Sequence, residues 1–409
     1  MNKKSLHRKE VLYITYDGLL EPIGQSQILK YILHLSNDYN FTILSLEKES
    51  DLAEREKLHQ CNKILQKSHV KWKYKKYSQS GVFGYFNNFV QLGFYTLKIL
   101  TFQKISIVHI RGYAPGFALW AMNRFIKPQV IFDMRGYWPD EKHDRAGWQK
   151  DSMRYRFFKH LELFLLNFSN HVVVLTYESK RYLEKKYLIH TNKISVIRTC
   201  VDEVQFKPYF NTSASILRSE QHIEELRIGY VGTIDTAYNF SKFLFLVKQI
   251  SLFHNNIRLI VLTGSSKQKV LDEIKASELK VNVEIDFLPR DLIAESIKTF
   301  NFLGFYLNKN FSVSASMPTK IAESLACGIP VICNDFNDDI KKLLISNSSG
   351  YIYNFEAEMT EHEYQKIIGL LTHPTIKEDC RATALKEFSL QAGVSAYNEI
   401  YKQVKAKNN

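Results

Sequence analysis

Lys320 and Glu323 stand three residues apart in the stretch Ser316-Met-Pro-Thr-Lys-Ile-Ala-Glu-Ser-Leu-Ala-Cys-Gly-Ile-Pro-Val-Ile332. On a helix this spacing puts an ammonium and a carboxylate on one face, near the helix start. Pro318 suits a first helical turn, where its missing N–H costs nothing, and Ser316 offers a capping hydroxyl just before it. Ile321, Ala322, Leu325 and Ala326 mark the packed side, and Gly328 stops the helix. Residues Ile329 to Ile332 then read as a short buried strand. A helix start presents free N–H groups and a positive dipole end, which suits a phosphate. A carboxylate one turn in can accept hydrogen bonds from a ribose diol. An ordinary α/β helix carrying a surface ion pair fits the same spacing.

The elements around this stretch read as strands feeding loops and helices. Val11 to Thr15 is an apolar strand, followed by the glycine-bearing loop Tyr16 to Gly24 and helical spacing from Gln25. Phe41 to Leu46 is a second strand. Ile105 to Ile110 ends in Arg111-Gly112-Tyr113, and Gln129 to Met134 ends in Arg135-Gly136-Tyr137-Trp138-Pro139-Asp140-Glu141. Such loops lie at the carboxyl edge of an open α/β sheet, where ligands bind. Arginines there hold a phosphate or carboxylate in bidentate fashion. Tyr137 and Trp138 can stack on a sugar ring, and Asp140 or Glu141 can accept hydroxyl protons. Alone, each Arg-Gly-Tyr is an ordinary turn; two on one edge point to a site. Residues 160–168 and 178–187 read as helices, with His171 to Leu175 as a buried strand between them.

The second half restarts the pattern. Leu226 to Val231 runs into Gly232-Thr233, Ile257 to Leu262 into Thr263-Gly264-Ser265-Ser266, and Val283 to Phe287 into Leu288-Pro289-Arg290. Gly232 and Gly264 can admit a pyrophosphate close to the backbone. Residues 208–223 read as a linker.

A chain of 409 residues suggests two domains, and 45% hydrophobic with 24% charged residues describes a soluble globular protein. The five cysteines form no CxxC pair, which speaks against a disulfide framework or zinc site and for a reducing compartment. The basic start leads straight into a strand with no signal peptide, and no apolar run spans a membrane. Asp335, Asp338 and Asp339 read as a polar helix start, and no metal site is expected.

Charge is uneven. Residues 1–205 hold 32 Lys and Arg against 19 Asp and Glu, whereas residues 206–409 hold 23 of each. A basic first half suits an anionic partner: phospholipid headgroups, a phosphorylated substrate or nucleic acid. Nothing resembles a helix-turn-helix, zinc or RNA-binding signature, so nucleic acid is not expected. Six lysines lie between Lys63 and Lys76, followed by an amphipathic helical stretch over 82–102 rich in Phe and Tyr. Lysines there suit an anionic membrane surface. The aromatic stripe reads as core, with membrane-surface binding as the alternative.

The segment 316–332 resembles the nucleotide-sugar site of retaining glycosyltransferases with the GT-B fold, family 4-like, a family that includes many bacterial polysaccharide-assembly enzymes. Its pattern S-x-P-x-K-x-x-E-x-x-A-x-G-x-P-V-I is matched throughout, with Glu323 where the ribose-binding glutamate falls. Many members carry a further glutamate on the donor sugar where this chain has Ala315. Asp17, Gly18, Pro22, Gly24, Gln25, Ser26 and Gln27 also match a subgroup pattern, as do residues 133–141. Relatives often place a histidine on the loops that here carry Arg111 and Arg135, and an Arg and Lys near the position of Asp235, leaving Lys320 or Arg290 to share the phosphate work.

The resemblance implies two doubly wound, Rossmann-like α/β domains facing a cleft. Residues 1–205, completed by a C-terminal helix at 390–409, would bind the acceptor, and 206–389 the nucleotide-sugar. Donor contacts would come from Gly24, Gln25, Gly232, Thr233, Gly264, Ser265, Leu288, Arg290, Ser316, Met317, Pro318, Thr319, Lys320 and Glu323. Acceptor contacts would come from Arg111, Tyr113, Arg135, Trp138, Asp140 and Glu141, with Glu323, Lys320, Arg135 and Arg111 as the catalytic set. The implied reaction is retaining sugar transfer, without metal or cofactor, to a lipid-linked or glycan acceptor in surface polysaccharide (lipopolysaccharide or capsule) synthesis. It would run in the cytoplasm, or peripherally on the inner face of the membrane. The rivals are a nucleotide-sugar 2-epimerase of the same fold and a non-catalytic protein that binds anionic surfaces.

Overall fold

The computed structural model describes residues 8–78, 81–122, 128–209, 223–234 and 237–406. The chain divides into two compact units, Met1–Arg198 with Leu390–Asn409, and Thr199–Ser389. The boundary precedes the expected one at 205/206 because residues 199–206 are tied into the second unit. Thr199 Oγ1 donates to the Met317 carbonyl at 2.8 Å, and the Arg381 guanidinium donates to the carbonyls of Glu203 and Phe206. Most of the expected linker, 210–222, lies outside the described residues, as does Asp235.

The first unit holds a seven-stranded sheet. Its strands are β1 (Lys9–Thr15), β2 (Tyr39–Glu47), β3 (Lys71–Lys76), β4 (Ile107–Arg111), β5 (Gln129–Asp133), β6 (His171–Val174) and β7 (Ile194–Val196). They run parallel in the order β3-β2-β1-β4-β5-β6-β7. Val11, Leu12 and Ile14 are wholly buried, as a parallel strand covered on both faces requires. The order reverses between β1 and β4, and ligands gather at the carboxyl ends beside such a reversal. At the far edge, β3 exposes Lys71, Lys73 and Lys76, whose charges discourage pairing with another strand.

Two helices differ from expectation. One begins at Met153, not His160, because Ser152 accepts the Tyr155 N–H as its cap. The other, Gly81–Phe102, exposes its apolar stripe: Phe86, Val90, Phe94 and Leu97 face outward while Asn88, Leu92, Thr96 and Ile99 are buried. The core reading of the aromatic stripe is therefore corrected. Asn88 faces inward because its amide exchanges hydrogen bonds with the backbone of Ser78. The side chains of Val82, Phe83 and Tyr85 are not among those described. The helix Leu390–Ala406 packs back onto the first unit, where Tyr397 donates to Asp133 and Tyr401 pairs with His109.

The second unit repeats the architecture with β8 (Leu226–Val231), β9 (Ile257–Leu262), β10 (Asn282–Asp286), β11 (Phe302–Phe305), β12 (Val331–Cys333) and β13 (Gly350–Ile352). Their parallel order is β10-β9-β8-β11-β12-β13. The short β11 was not legible as a strand; its Gly304 is there because a Cβ would meet the Phe243 ring at 2.5 Å. All five cysteines are buried free thiols. Among the described residues, no helix is long and apolar enough to cross a membrane.

Candidate active site

In the second unit the chemistry gathers where the sheet order reverses, between β8 and β11. The helix Thr319–Ala326 starts after Pro318, and no side chain caps it. Ser316 is therefore not the cap: it closes the preceding 3-10 turn Phe311–Ala315, and its carbonyl accepts from Asn337 Nδ2. Gly328, at φ +77°, ends the helix as expected.

Lys320 and Glu323 occupy one end of this helix but do not pair with each other. Glu323 Oε1 lies 2.6 Å from Arg290 Nη2, so the arginine expected to share the phosphate work holds the carboxylate. Lys320 is 5% exposed, and its Nζ has no hydrogen-bond partner. Three rings surround the ammonium, Tyr238 at 3.6 Å, Tyr230 at 5.0 Å and Phe305 at 5.2 Å from their centroids. Burial pulls the Lys320 pKa from 10.5 down to about 7, against the opposing pull of Glu323. The ammonium faces the turn after β8, where a Cβ on Gly232 (φ +124°) would lie 2.9 Å from Nζ. Glycine suits that turn, and its lack of a side chain lets the ammonium lie close against the backbone.

Neighbouring loops are tied together. The Ile234 N–H donates to Ser265 Oγ, the Ser265 N–H to Thr263 Oγ1, and the Thr233 carbonyl accepts from Tyr230. Gly264 has only Phe287 at 3.9 Å from a notional Cβ, so sterics do not require glycine there. Leu288 is half-buried, Met317 and Pro318 are buried, and Thr319 opens the helix. Asp338 and Asp339 sit in the first turn of a helix capped by Asn337, and Asp335 pairs with Lys309 and Lys341. Among the described residues no cluster of His, Cys, Asp and Glu has a metal-binding arrangement.

In the first unit a cavity of about 250 Å³ opens at the carboxyl ends of β1, β4 and β5. Tyr16 and Asp17 line it from the first loop, Arg111 and Tyr113 from the second, Arg135, Trp138, Glu141 and Lys142 from the third. Five of the six expected acceptor residues thus converge. Asp140 does not: it turns inward, accepting from Tyr155 at 2.7 Å and Lys159 at 3.0 Å. Tyr137 is 1% exposed and packs on Tyr182, which removes it as a sugar platform. Burial raises the pKa of Glu141, opposed by Arg145 and Lys142, so its carboxyl holds a proton more readily than usual.

Beneath the cavity, Asp133 organises both arginines. Its carboxylate lies 3.4 Å from Arg111 Nη1 and 3.6 Å from Arg135 Nη1, and accepts from Tyr397 at 2.9 Å. Burial disfavours its charge, but Arg135, His109 and Arg111 outweigh that and hold the pKa well below the usual range. Asp17 is 3.5 Å from Arg111 Nε on the solvent side. Arg135 adopts φ +58°, a conformation that turns the chain sharply after β5. His109, deeply buried, contacts Tyr401 through Nδ1 at 2.7 Å, and burial pulls its pKa down against the nearby Asp133.

Gly24 and Gln25, expected at the donor, belong to the fold of the first loop. Gln25 Nε2 donates to the Leu19 carbonyl at 2.6 Å, and a Cβ on Gly24 would lie 1.9 Å from the Gly18 carbonyl oxygen. Glu47, unmarked in the sequence, braces this loop by accepting the N–H groups of Leu19 and Leu20 and the Ser45 hydroxyl. Glu47 escaped sequence reasoning because it looks like the polar end of a strand, and Asp133 stood in the matched stretch 133–141 without a role assigned to it.

Comparison with known proteins gives the same architecture. Residues 35–205 match the family model described as Glycosyltransferase Family 4, and 216–386 match Glycosyl transferases group 1, so together they account for well over half of the chain. A curated relative, the chitobiosyldiphosphodolichol beta-mannosyltransferase of Candida albicans, is 24% identical over 269 residues, covering 62% of this chain and 56% of that enzyme. The corresponding Debaryomyces hansenii enzyme is 26% identical, covering 58% and 54%. The chain thus spans little more than half the length of the curated relatives it matches. A sucrose-phosphate synthase from Thermosynechococcus elongatus has a similar structure at TM-score 0.72 and 13% identity, covering 98% of this chain and all of that one. A glycosyltransferase from Rickettsia africae superposes at 0.68 with 17% identity and the same coverage. HepE of Anabaena, solved with UDP and glucose, does so at 0.63 with 12% identity, covering 97% of this chain and all of that one.

Proposed function

The chain belongs to the GT-B glycosyltransferases of the family 4 type, and from that membership we propose that it moves a sugar, with retention, from a nucleotide-sugar to a lipid-linked or glycan acceptor. The observation that carries the donor half is Lys320, a buried ammonium without a hydrogen-bond partner that faces the Gly232 turn. A buried charge left unpaired is costly, and a diphosphate supplies the missing partner. As the sugar C1–O bond breaks, the negative charge gathering on the diphosphate is met by Lys320 and the N-terminus of the Thr319–Ala326 helix. The acceptor oxygen bonds C1 on the face the diphosphate leaves, and its proton passes to the departing phosphate. Glu323, oriented by Arg290, takes the ribose diol. In this reading the protein's own cations do the work of a metal.

For the acceptor, Arg111, Arg135 and Lys142 give the first-unit cavity a cationic lining that suits a diphosphate or an acidic sugar. The Candida relative, whose name specifies a diphosphodolichol acceptor, supports a lipid diphosphate. The HepE complex supports UDP as a nucleotide to try first. We place the reaction at the cytoplasmic, anionic face of a membrane, in the assembly of a surface polysaccharide.

The test is thermal stabilisation by UDP, GDP and ADP in the wild type and in Glu323→Ala. Stabilisation by one nucleotide, lost in the variant, is the expected result. No stabilisation by any of them overturns the donor assignment. With the donor known, the anomeric configuration of the product by NMR decides retention: an inverted anomer overturns that part of the reading and leaves transfer standing.

A further inference from the structure

The helix Gly81–Phe102 is built inside out. Its buried side carries Asn88, Leu92, Thr96 and Ile99, while Phe86, Val90, Phe94 and Leu97 repeat at four-, four- and three-residue spacing on the solvent side. Phe86 is 65% exposed, Phe94 60% and Phe102, at the end of the helix, 79%. An isolated globular protein buries such a stripe. The apolar surface continues onto neighbouring helices through Trp120 and Phe157, whose rings pack at 6.0 Å.

The charge beside this stripe is predominantly positive. The edge strand β3 exposes Lys71, Lys73 and Lys76, and Lys75 lies 3.8 Å over the Tyr95 ring, joining strand to helix. Lys98 and Lys104 are exposed on and after the helix itself. Lys76 pairs with Glu49 at 2.5 Å. From Lys57 to Phe132 the chain contains twelve Lys and Arg and not one Asp or Glu.

We infer that this face, the Gly81–Phe102 helix flanked by the β3 lysines, docks the protein onto an anionic lipid bilayer. The inference rests on the membrane placement proposed above and assigns it a surface. Aromatic and aliphatic side chains enter the boundary between headgroups and acyl chains, while the lysines meet the lipid phosphates. Charge decides against a second copy of the chain as the occupant. A two-fold interface brings like patches together, and here it would press cations against cations with no acid of the segment to pair them.

Flotation with vesicles of phosphatidylcholine alone, and with about a third phosphatidylglycerol, tests this on the full chain. Phe86→Ser/Phe94→Ser and Lys71→Glu/Lys73→Glu lie outside both candidate sites, and melting curves check that they fold. The wild type should bind the anionic vesicles about tenfold more tightly than the neutral ones, and each double variant should lose about tenfold. Equal or negligible binding to both vesicles, or wild-type binding by both variants, overturns the proposal. Concentration-dependent self-association in sedimentation that the Phe variant abolishes, without vesicle binding, overturns it in favour of a second copy. Nucleotide stabilisation without vesicle binding defeats this proposal alone. Vesicle binding lost in the variants, without nucleotide stabilisation, supports docking and defeats only the donor assignment.

Discussion

Arg290 grips Glu323 by one carboxylate oxygen, Nη2 to Oε1 at 2.6 Å, and Oε2 takes no part in the contact. The carboxylate is thereby fixed before any ligand arrives, with its second oxygen available to a diol. Glu323→Ala should weaken binding of the stabilising nucleotide by about 100-fold, since it removes a charge-assisted contact. Arg290→Ala should weaken it by about tenfold, through loss of orientation. Isothermal titration measures both, and an equal loss in the two variants would mean that Arg290 itself touches the ligand.

Lys320 makes donor binding sensitive to pH. Its pKa in the fold is about 7, so the ammonium that a diphosphate needs is progressively lost above that value. Nucleotide affinity should be flat below about pH 7 and fall by up to about tenfold per pH unit above it. Lys320→Met should give a much weaker, nearly pH-independent titration.

The same lysine should weaken the empty protein. Between about 7 and its ordinary 10.5, the unfolded chain binds more protons than the folded one, so ligand-free stability rises with pH across that window. Lys320→Met should therefore melt higher than wild type without ligand, by about 1–4 kcal/mol of stability. A lower melting point in calorimetry would mean that the ammonium has a stabilising partner.

Gly232→Ala should fold and yet bind no donor. The turn needs φ +124°, and the new methyl would lie 2.9 Å from the Lys320 ammonium. Backbone strain of this kind costs about 1–3 kcal/mol. The check is a modest fall in melting temperature together with complete loss of the nucleotide-induced shift.

Asp133→Asn removes the charge that holds Arg111 and Arg135, and should destabilise the first unit by about 3–5 kcal/mol. Tyr397→Phe deletes one hydrogen bond to the same carboxylate and should cost about 1 kcal/mol while raising KM for the acceptor more than it lowers kcat. Kinetics at saturating donor would reveal the split; an unchanged KM would make Asp133 a purely structural anchor.

The helix Thr319–Ala326 was legible because its signals are local: Pro318 before it, Gly328 after it, apolar residues at helical spacing between. Strands such as β1, β2, β5, β6, β8 and β9 were legible as apolar runs, the short β11 and the lysine-rich β3 were not, and the paired Arg-Gly-Tyr loops did converge on one cavity. What sequence concealed was partnership across the chain. Spacing joined Lys320 to Glu323, but folding gave the carboxylate to Arg290 and left the ammonium among rings. Asp140 looked as available as Glu141, yet Tyr155 and Lys159 draw it inward. The periodicity of residues 86–97 announced an apolar face correctly and said nothing about which side would be covered, because the buried side was chosen by Asn88 and its bonds to Ser78.

The closing helix sets an order of events during synthesis. Tyr397 and Tyr401 reach Asp133 and His109 only after the ribosome has made the whole of 199–389, which separates them by more than 260 positions. The second unit is thus complete in sequence while the first still lacks its closing helix. During that interval Asp133 and His109 lack Tyr397 and Tyr401, and a messenger cut short before Leu390 would yield a whole second unit beside a first unit without the helix that braces Asp133. Loss-of-function alleles near this end would consequently act through the first unit and leave the second unit whole.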